Sequence, residues 1–314
     1  RVSSYIRYVD TDNQSHWLFD SFLFLEIMDT GTGGANKMFA KGYNLESANQ
    51  ADWTKLIDYY FQSETGIGAL DASVKEASAI LGTPRQKRQI VISIPEPIVY
   101  QHPEQASSST KYWGKIDNQT LDFSNSADRI KACKWYIDQV RAKFNEKNYQ
   151  HVELAGFYWL AEKATDTRDI LNAVAIYLNK LKYSFNWIPY YGADGYNQWK
   201  SLGFNYAYFQ PNYFFNESVP DSRLEDACQK ALTYDMHMEL EFDDNALNSR
   251  GKAYRLKNYM SAFKKHGIWE KKRLAYYQGS ASLLTLKKSG NAADTQLYHE
   301  FCNFVISRPI RSSH

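Results

Sequence analysis

The sequence predicts an α/β protein built as a single (β/α)8 TIM-type barrel with an irregular first β-α unit. Runs of strand-like sequence alternate with runs of helix-like sequence, which is typical of βαβ units and a parallel sheet. There are eight strand-like runs, and 314 residues is an ordinary length for an eight-stranded barrel. Neither a linker nor an internal repeat divides the chain, so we expect one domain over 1–314.

The predicted strands are short runs rich in β-branched and aromatic residues. They cover 5–9, 21–27, 90–94, 153–160, 186–191, 206–210, 236–242 and 274–278. Helix-like patterns, with apolar residues at spacings of three and four, lie between most of these runs. The clearest covers 126–144, and Ser126 is its expected N-cap.

The first β-α unit departs from this pattern. Only ten residues, DTDNQSHWLF, separate the first strand from the second, and a parallel crossover needs about a dozen or more. Either the first helix is absent, or the first run and the next form a hairpin at the edge of the barrel.

Long insertions follow the second and third strands, at 29–44 and 96–123. Loops after the strands carry the site in barrel enzymes, so we expect both insertions to roof a pocket at that end. The stretch GTGGANK at 31–37 lacks the ending of a phosphate-binding loop and is interpreted as a lid.

Composition excludes several classes of function. A net charge of +2 without a basic tract argues against a nucleic-acid partner, and no apolar run is long enough to span a membrane. The three cysteines, Cys133, Cys228 and Cys302, fall in apolar helical patterns without metal-ligand spacing and are expected to be buried thiols. We therefore expect neither a metal nor another cofactor, and the oligomeric state stays open.

The seventh strand combines apolar and acidic residues in strict alternation. Met236, Met238, Leu240 and Phe242 share one face, and His237, Glu239, Glu241 and Asp243 share the other. In a barrel, the apolar face packs against helices and the acidic face points inward. The acidic face could instead pair with an interior cation such as Arg7. A metal site is disfavoured, since alternate residues on one strand lie roughly 7 Å apart.

Two facing carboxylates are the usual equipment for cleaving a glycosidic bond, one as a protonated acid and one as a nucleophile or base. We predict Glu162, just past the fourth strand, as the acid, and Glu241 as the nucleophile or base with support from Glu239. Polar and aromatic residues near the strand ends are predicted to bind an oligo- or polysaccharide: Glu26, Glu96, Trp159, Tyr190, Tyr191, Gln210, Asn212, Tyr213, Asp243 and Gln278. The alternative is a non-catalytic barrel that binds glycans or serves as a scaffold.

Several stretches resemble a bacterial family labelled domain of unknown function 4855. They are WLFDSFLFLE (17–26), GFYWLAE (156–162), FNWIPYYGADGYNQWKSLGF (185–204), YFQPNYFF (208–215) and MELEFD (238–243). The resemblance extends over about 5–280. It implies a barrel related to glycoside hydrolases, in exported bacterial proteins that handle polysaccharides. The chain begins with Arg1 rather than Met, so we expect that a leader has been removed and that the protein is secreted, periplasmic or on the cell surface.

The resemblance also extends to the large superfamily of retaining barrel glycosidases, in which the acid follows strand four and the nucleophile ends strand seven. Glu162 and Glu241 occupy matching places. In that superfamily Asn normally precedes the acid, whereas Ala161 precedes Glu162 here. The placement of the two carboxylates favours retention, and the missing Asn leaves an inverting or an inactive barrel open.

Overall fold

The computed structural model describes residues 2–29, 37–105, 112–279 and 281–309. It has an α/β fold around a curled parallel sheet. The strands, in chain order, are β1 (Arg7–Val9), β2 (Ser15–Trp17), β3 (Ser21–Phe24), β4 (Lys37–Met38), β5 (Glu46–Ser47), β6 (Arg88–Ile94), β7 (Tyr112–Ile116), β8 (Gln119–Asp122), β9 (Val152–Trp159), β10 (Ser184–Trp187), β11 (Tyr206–Phe209), β12 (His237–Glu241) and β13 (Leu274–Tyr277).

The helices cover the sheet and enclose the apolar core with it. They are α1 (Ser3–Ile6), α2 (Gln50–Tyr60), α3 (Ile67–Leu81), α4 (Ser126–Lys147), α5 (Arg168–Lys180), α6 (Ser222–Thr233), α7 (Ala253–Lys265), α8 (Ile268–Lys271), α9 (Ser282–Lys288) and α10 (Ala292–Ile306). Helix α4 begins where the sequence predicts, but Asn125 and not Ser126 is its N-cap, with its side chain accepting from the amide of Ala127 at 3.0 Å. The three cysteines are buried free thiols.

Seven parallel strands form a half-barrel in the order β3-β6-β9-β10-β11-β12-β13. They correspond to seven of the eight predicted runs. The prediction of a closed eight-stranded barrel is not confirmed, because within the described residues no hydrogen-bonded ladder joins β3 to β13. The two edges nevertheless approach each other. The ring centroids of Phe19 and Tyr276 are 5.4 Å apart, and the Tyr5 hydroxyl donates to the Oε1 of Gln278 at 3.3 Å.

The first predicted run, 5–9, does not enter the parallel sheet. Residues 3–6 are helical, and β1 pairs with β2 as an antiparallel hairpin. The reason is local: the carboxylate of Asp10 accepts from the amides of Asp12 and Gln14, and Asn13 adopts a φ of 60°. This tight polar turn reverses the chain within the ten residues that are too few for a crossover. The hairpin alternative is therefore correct in kind, although the partner of β1 is 15–17 and not the next parallel strand.

A β-bulge sets the orientation of strand β9. Ile90 pairs with Leu154 and Val91 pairs with Gly156, so Ala155 has no register partner on β6. One extra residue shifts the alternation of side chains by one position. Val152 is buried ahead of the bulge, whereas Tyr158, of the same parity, lines an internal cavity. The bulge thus determines which side chains at the end of β9 reach the interior.

The two insertions differ in what they contribute. Residues 30–36, which include most of the predicted lid, lie outside the described residues. The part that follows contributes Ala40, Lys41 and Tyr43 to the cavity. The described residues of 96–123 contribute none, because the β7-β8 hairpin packs against α2 and α4 on the outside of the sheet. The expectation of a roof from both insertions holds for the first alone within the described parts of the chain.

Candidate active site

A cavity of about 1030 Å³ opens at the carboxyl ends of the parallel strands. Glu162, Tyr190, Gln210, Glu241 and Gln278 each line it from the end of a different strand. This is the end at which parallel α/β folds bind ligands. The cavity continues inward to the starts of the two edge strands, between which the described residues form no hydrogen-bonded ladder. Its size is at the upper end of ordinary ligand sites, which are about 300–1,000 Å³.

Strand β12 supplies two carboxylates to this cavity. Met238 and Leu240 are fully buried in the apolar core, while Glu239 and Glu241 line the cavity, as the alternation of the sequence predicts. Both carboxylates are buried, with only 7% and 1% of their surfaces exposed. Burying two acidic side chains on one strand is costly unless their charges are compensated or one of them is protonated.

Glu241 is held by hydrogen bonds to one of its oxygens. Its Oε2 accepts from the hydroxyl of Tyr259 at 2.6 Å and from the backbone amide of Asn212 at 2.9 Å. Its Oε1 is buried and has no hydrogen-bond partner among the described residues. Burial raises the pKa of Glu241, while the hydrogen bonds from Tyr259 and Asn212, together with the nearby amide group of Gln210, oppose that rise. One fixed oxygen and one uncommitted oxygen suit a group that acts on a ligand.

Glu239 is the more strongly perturbed member of the pair. Burial, followed by the charges of Glu241 and Glu162, raises the pKa of Glu239 well above its ordinary value. No hydrogen bond to the Glu239 carboxyl group is found within the described parts of the chain. When two close carboxylates compete, the one with more donors ionises first. We therefore assign the charge of the pair to Glu241 and the proton to Glu239.

Glu162 approaches the pair from strand β9. The buried ring of Tyr158 lies within electrostatic range of Glu162 and Glu239 alike, so the ends of β9 and β12 converge on one volume. Desolvation raises the pKa of Glu162 to about 7. The side chain is nevertheless open to the solvent of the cavity. The direction of the shift, and not its size, is therefore what supports a protonated acid here.

Six of the predicted site residues line the cavity: Glu162, Glu239, Glu241, Tyr190, Gln210 and Gln278. Tyr190 and Gln210 extend the sheet through an isolated parallel bridge. The Oε1 of Gln278 accepts from Tyr5 and from the amide of Leu283 at 2.9 Å, which fixes this side chain at the mouth.

Three predicted residues are placed away from the cavity. Glu26 lies beside Tyr60, on the opposite side from Leu25, which lines the cavity. Glu96 accepts from the amide of Lys41 at 2.7 Å and braces that loop. Trp159 is buried, and its indole donates to the hydroxyl of Thr167 at 3.3 Å.

The other four also have structural partners. Tyr191 donates to Asp226, and the guanidinium carbon of Arg223 lies 3.9 Å from the centroid of the Tyr191 ring, on the side of α6. Tyr213 donates to Asp221 and lies 3.7 Å under Arg255.

Asn212 acts through its backbone, since its amide donates to Glu241 while its side chain accepts from Gln210 at 2.7 Å. Asp243 caps a 3-10 helix, Asp244–Ala246, by accepting from Asn245 at 2.7 Å.

Sequence reasoning missed several cavity residues, which are mostly aromatic: Tyr43, Tyr158, Tyr208, Phe215 and Tyr277. One of them was within reach. Tyr158 and Trp159 are neighbours on a predicted strand, so only one of them can face the interior, and the residue predicted to do so is Trp159. The others depend on loop paths or on neighbouring strands that a single sequence does not reveal.

The alternatives of an interior ion pair and of a metal site find no support. Arg7 lines a separate cavity of about 270 Å³, together with Ser3 and Lys287, away from Glu239 and Glu241. The Nδ1 of His237 accepts from the amide of Arg273 at 3.2 Å. Within the described residues, no group of three or more His, Cys, Asp or Glu side chains is arranged to hold a metal ion. No described helix has the length and apolar character needed to cross a membrane.

Comparison with known protein families gives a match over most of the chain. The profile of the family described as Domain of unknown function (DUF4855) matches residues 1–303. No curated protein matches the chain. Among solved structures, the chain is similar to a protein of Bacteroides thetaiotaomicron provisionally named an alpha-L-fucosidase, with 15% identity, a TM-score of 0.46, and coverage of 86% of this chain and 81% of that one.

A second similar structure is the catalytic domain of a family GH18 chitinase from the fern Peteris ryukyuensis. The identity is 11% and the TM-score is 0.39, with 75% of this chain and 78% of that chain covered.

Proposed function

The chain belongs to the DUF4855 family, and from that premise we propose that it is a glycoside hydrolase that uses Glu162 and Glu241 at the mouth of the half-barrel. One observation carries the proposal. Glu162 from the end of β9 and the Glu239–Glu241 pair of β12 share one cavity, and the pKa of each carboxyl group is raised. Titratable groups whose pKa values are shifted in this way within a cleft mark candidate active sites.

In the proposed reaction, the glycosidic C–O bond breaks as the leaving oxygen takes a proton from Glu162. Glu241, as the ionised member of its pair, attacks the anomeric carbon or removes a proton from the attacking water. If Glu241 attacks, water then breaks the bond between Glu241 and the anomeric carbon, gives one proton to the Glu162 carboxylate and keeps the other in the new hydroxyl group. If Glu241 acts as the base, water again forms the hydroxyl group, and the single proton that Glu241 takes returns to Glu162 through the solvent. Glu239 keeps its own proton, which limits the charge in the buried cluster to one carboxylate.

The hydrogen bonds to Glu241 fit this division of roles. Tyr259 and the amide of Asn212 hold its Oε2 and favour the ionised form, while its Oε1 is left for the substrate. Glu162 has no such donors among the residues that the structure describes, and desolvation alone raises its pKa. Two carboxylates whose surroundings differ in this manner take different acid–base roles.

The test is a hydrolysis screen with a matched pair of variants. Wild type, Glu241→Gln and Glu153→Gln are incubated with aryl glycosides and with a panel of plant and bacterial polysaccharides, and release of aryl alcohol or of reducing ends is measured. Glu153 is exposed near the start of β9 and does not line the cavity. We expect hydrolysis by wild type and Glu153→Gln and its loss in Glu241→Gln. Hydrolysis that survives in Glu241→Gln would remove this residue from the mechanism.

The second candidate is a non-catalytic glycan-binding barrel, favoured by Ala161 where retaining glycosidases carry Asn. It predicts that wild type and Glu241→Gln both bind a polysaccharide of the panel and that neither hydrolyses it. Binding without turnover in both proteins would therefore replace the glycosidase with the binding function.

A further inference from the structure

The rim of the cavity carries aromatic rings that the proposed chemistry leaves unused. Tyr43, Phe215 and Tyr277 line the cavity and are 37%, 40% and 47% exposed. The rings of Phe215 and Tyr277 lie edge to face, with centroids 6.0 Å apart. Large aromatic side chains are normally drawn into the core, so their exposure beside a ligand-sized cavity calls for a functional explanation.

These rings are mounted on well-fixed backbone. The buried guanidinium group of Arg255 donates to the carbonyl oxygens of Tyr213, Asn216 and Val219, which immobilises the loop that carries Phe215. Lys252 donates to the carbonyl oxygen of Phe215 itself at 3.0 Å.

Tyr277 is the last residue of β13, and its carbonyl oxygen accepts from the amide of Phe242 at 2.9 Å. The two rings are therefore presented in advance of binding, and holding them costs a ligand little entropy.

The rings of Phe215 and Tyr277 lie next to the carboxylates. Tyr277 is the register partner of Glu241 across the β12-β13 ladder, so the two side chains leave the same face of the sheet on neighbouring strands. The Tyr277 hydroxyl also lies within electrostatic range of Glu239, Glu241 and Tyr43. A group bound at Glu241 would thus have its next neighbour over the rings of Tyr277 and Phe215.

We propose that Phe215 and Tyr277, with Tyr43 close by, form a subsite for a second pyranose residue next to the one at the carboxylates. The ligand is then an oligosaccharide or polysaccharide of at least two residues, and not a single sugar. The apolar C–H face of a pyranose packs on an aromatic ring, while its hydroxyl groups remain available to polar partners such as the Tyr277 hydroxyl. This inference rests on the proposed carbohydrate function of the same cavity.

The test is affinity electrophoresis in gels that contain xyloglucan, galactomannan, arabinoxylan or homogalacturonan. Wild type, Phe215→Ala, Phe215→Leu, Tyr277→Ala and the control Tyr112→Ala are compared. Tyr112 is an exposed aromatic residue on the β7-β8 hairpin, away from the cavity, and is more exposed than Phe215 and Tyr277. We expect retardation of wild type and Tyr112→Ala in at least one gel, and binding that is about 3- to 10-fold weaker in the Phe215 and Tyr277 variants.

Phe215→Leu keeps the apolar volume and removes the ring, so its loss of binding separates stacking from simple apolar contact. Thermal unfolding of each variant shows that the fold is kept. Absence of retardation of wild type in all four gels would overturn the subsite, as would equal retardation of wild type and the Phe215 and Tyr277 variants.

The two proposals fail in different ways. Ring-dependent binding without hydrolysis by wild type would leave the subsite standing and remove the glycosidase. Hydrolysis of aryl monoglycosides that Glu241→Gln abolishes, together with polysaccharide binding that is indifferent to Phe215 and Tyr277, would leave the glycosidase standing and remove the subsite.

Discussion

The ends of β6 and β12 each carry a buried carboxyl group with a raised pKa, at Glu96 and at Glu241. Both accept a backbone amide, from Lys41 and from Asn212. Glu96 does not line the cavity, and its amide bond braces a loop, whereas Glu241 lines the cavity and has an uncommitted buried oxygen. A raised pKa thus reports burial. Access to a cavity together with a spare acceptor distinguishes a candidate catalytic group from a structural one.

The largest expected difference between the two strand ends is in turnover. Gln keeps the shape of Glu and removes its charge, so Glu241→Gln should lower kcat by about 10³-fold or more on any hydrolysed substrate. Glu96→Gln should lower kcat less than about 10-fold, since it acts only through the loop at Lys41. Steady-state kinetics of both variants check this prediction. Equal losses of kcat would show that the two carboxyl groups do not differ in role.

The pH dependence of stability tests the structural role of Glu96. Burial raises the pKa of Glu96 from 4.5 to about 7, so between these values the folded state binds more protons than the unfolded state. The free energy of unfolding should therefore fall as pH rises through this window, by on the order of 3 kcal/mol from Glu96. Glu96→Gln should remove this contribution and reduce the slope of the profile in chemical denaturation, while Glu162, Glu239 and Glu241, whose pKa values are also raised, keep theirs. Glu153→Gln, an exposed control, should leave the profile unchanged, and parallel profiles for wild type and Glu96→Gln would contradict the prediction.

The role of Glu162 is tested by varying the leaving group. Glu162→Gln should slow hydrolysis of substrates with poor leaving groups by about 10- to 100-fold, because their departing oxygen needs a proton. Activated aryl glycosides need little protonation and should be hydrolysed at nearly the wild-type rate. The comparison of kcat/KM over a series of aryl leaving groups gives the result, and a uniform loss over the series would exclude Glu162 as the acid.

The smallest expected effect comes from Tyr259. Its hydroxyl donates to Glu241 and lowers the pKa of that carboxyl group, so Tyr259→Phe should raise this pKa. The mechanism needs Glu241 ionised, and the acidic limb of the pH–rate profile should therefore move to higher pH, by about one unit. The plateau rate should fall only a few-fold. If the acidic limb does not move, then the ionisation that it reports is not that of Glu241.

The sequence was sufficient for much of the sheet and for the carboxylates, and insufficient for the aromatic lining. Alternation in β12 predicts that Glu239 and Glu241 face inward, because Met238 and Leu240 must be buried on the other side. Past the strand ends alternation no longer applies, and long-range partners decide where a ring points. Tyr191 is taken by Asp226 and Tyr213 by Asp221 and Arg255. A single sequence does not reveal those pairings.

The predicted closure of the barrel is not confirmed, for a related reason. Seven runs enter the parallel sheet, but the chain between the first run and the second is too short for a helix, and Asp10 turns it back on itself. The length of the segment excluded the crossover, while the identity of the strand that pairs with β1 depended on the turn geometry.

The unpaired Ala155 in β9 has a consequence for how this family can change. Because one residue is inserted at this point, the alternation of side chains is reversed: each residue after Ala155 faces the side of the sheet opposite to the one that the pattern before it predicts. Loss of that single residue would exchange the inner and outer sides of the segment that leads to Tyr158 and Glu162. The candidate site therefore depends on the length of the strand as well as on the glycine that follows the bulge. Insertions and deletions are changes that natural selection should tolerate poorly at this point, and so is substitution of Gly156, since an added Cβ would lie 2.5 Å from the carbonyl oxygen of Ser184.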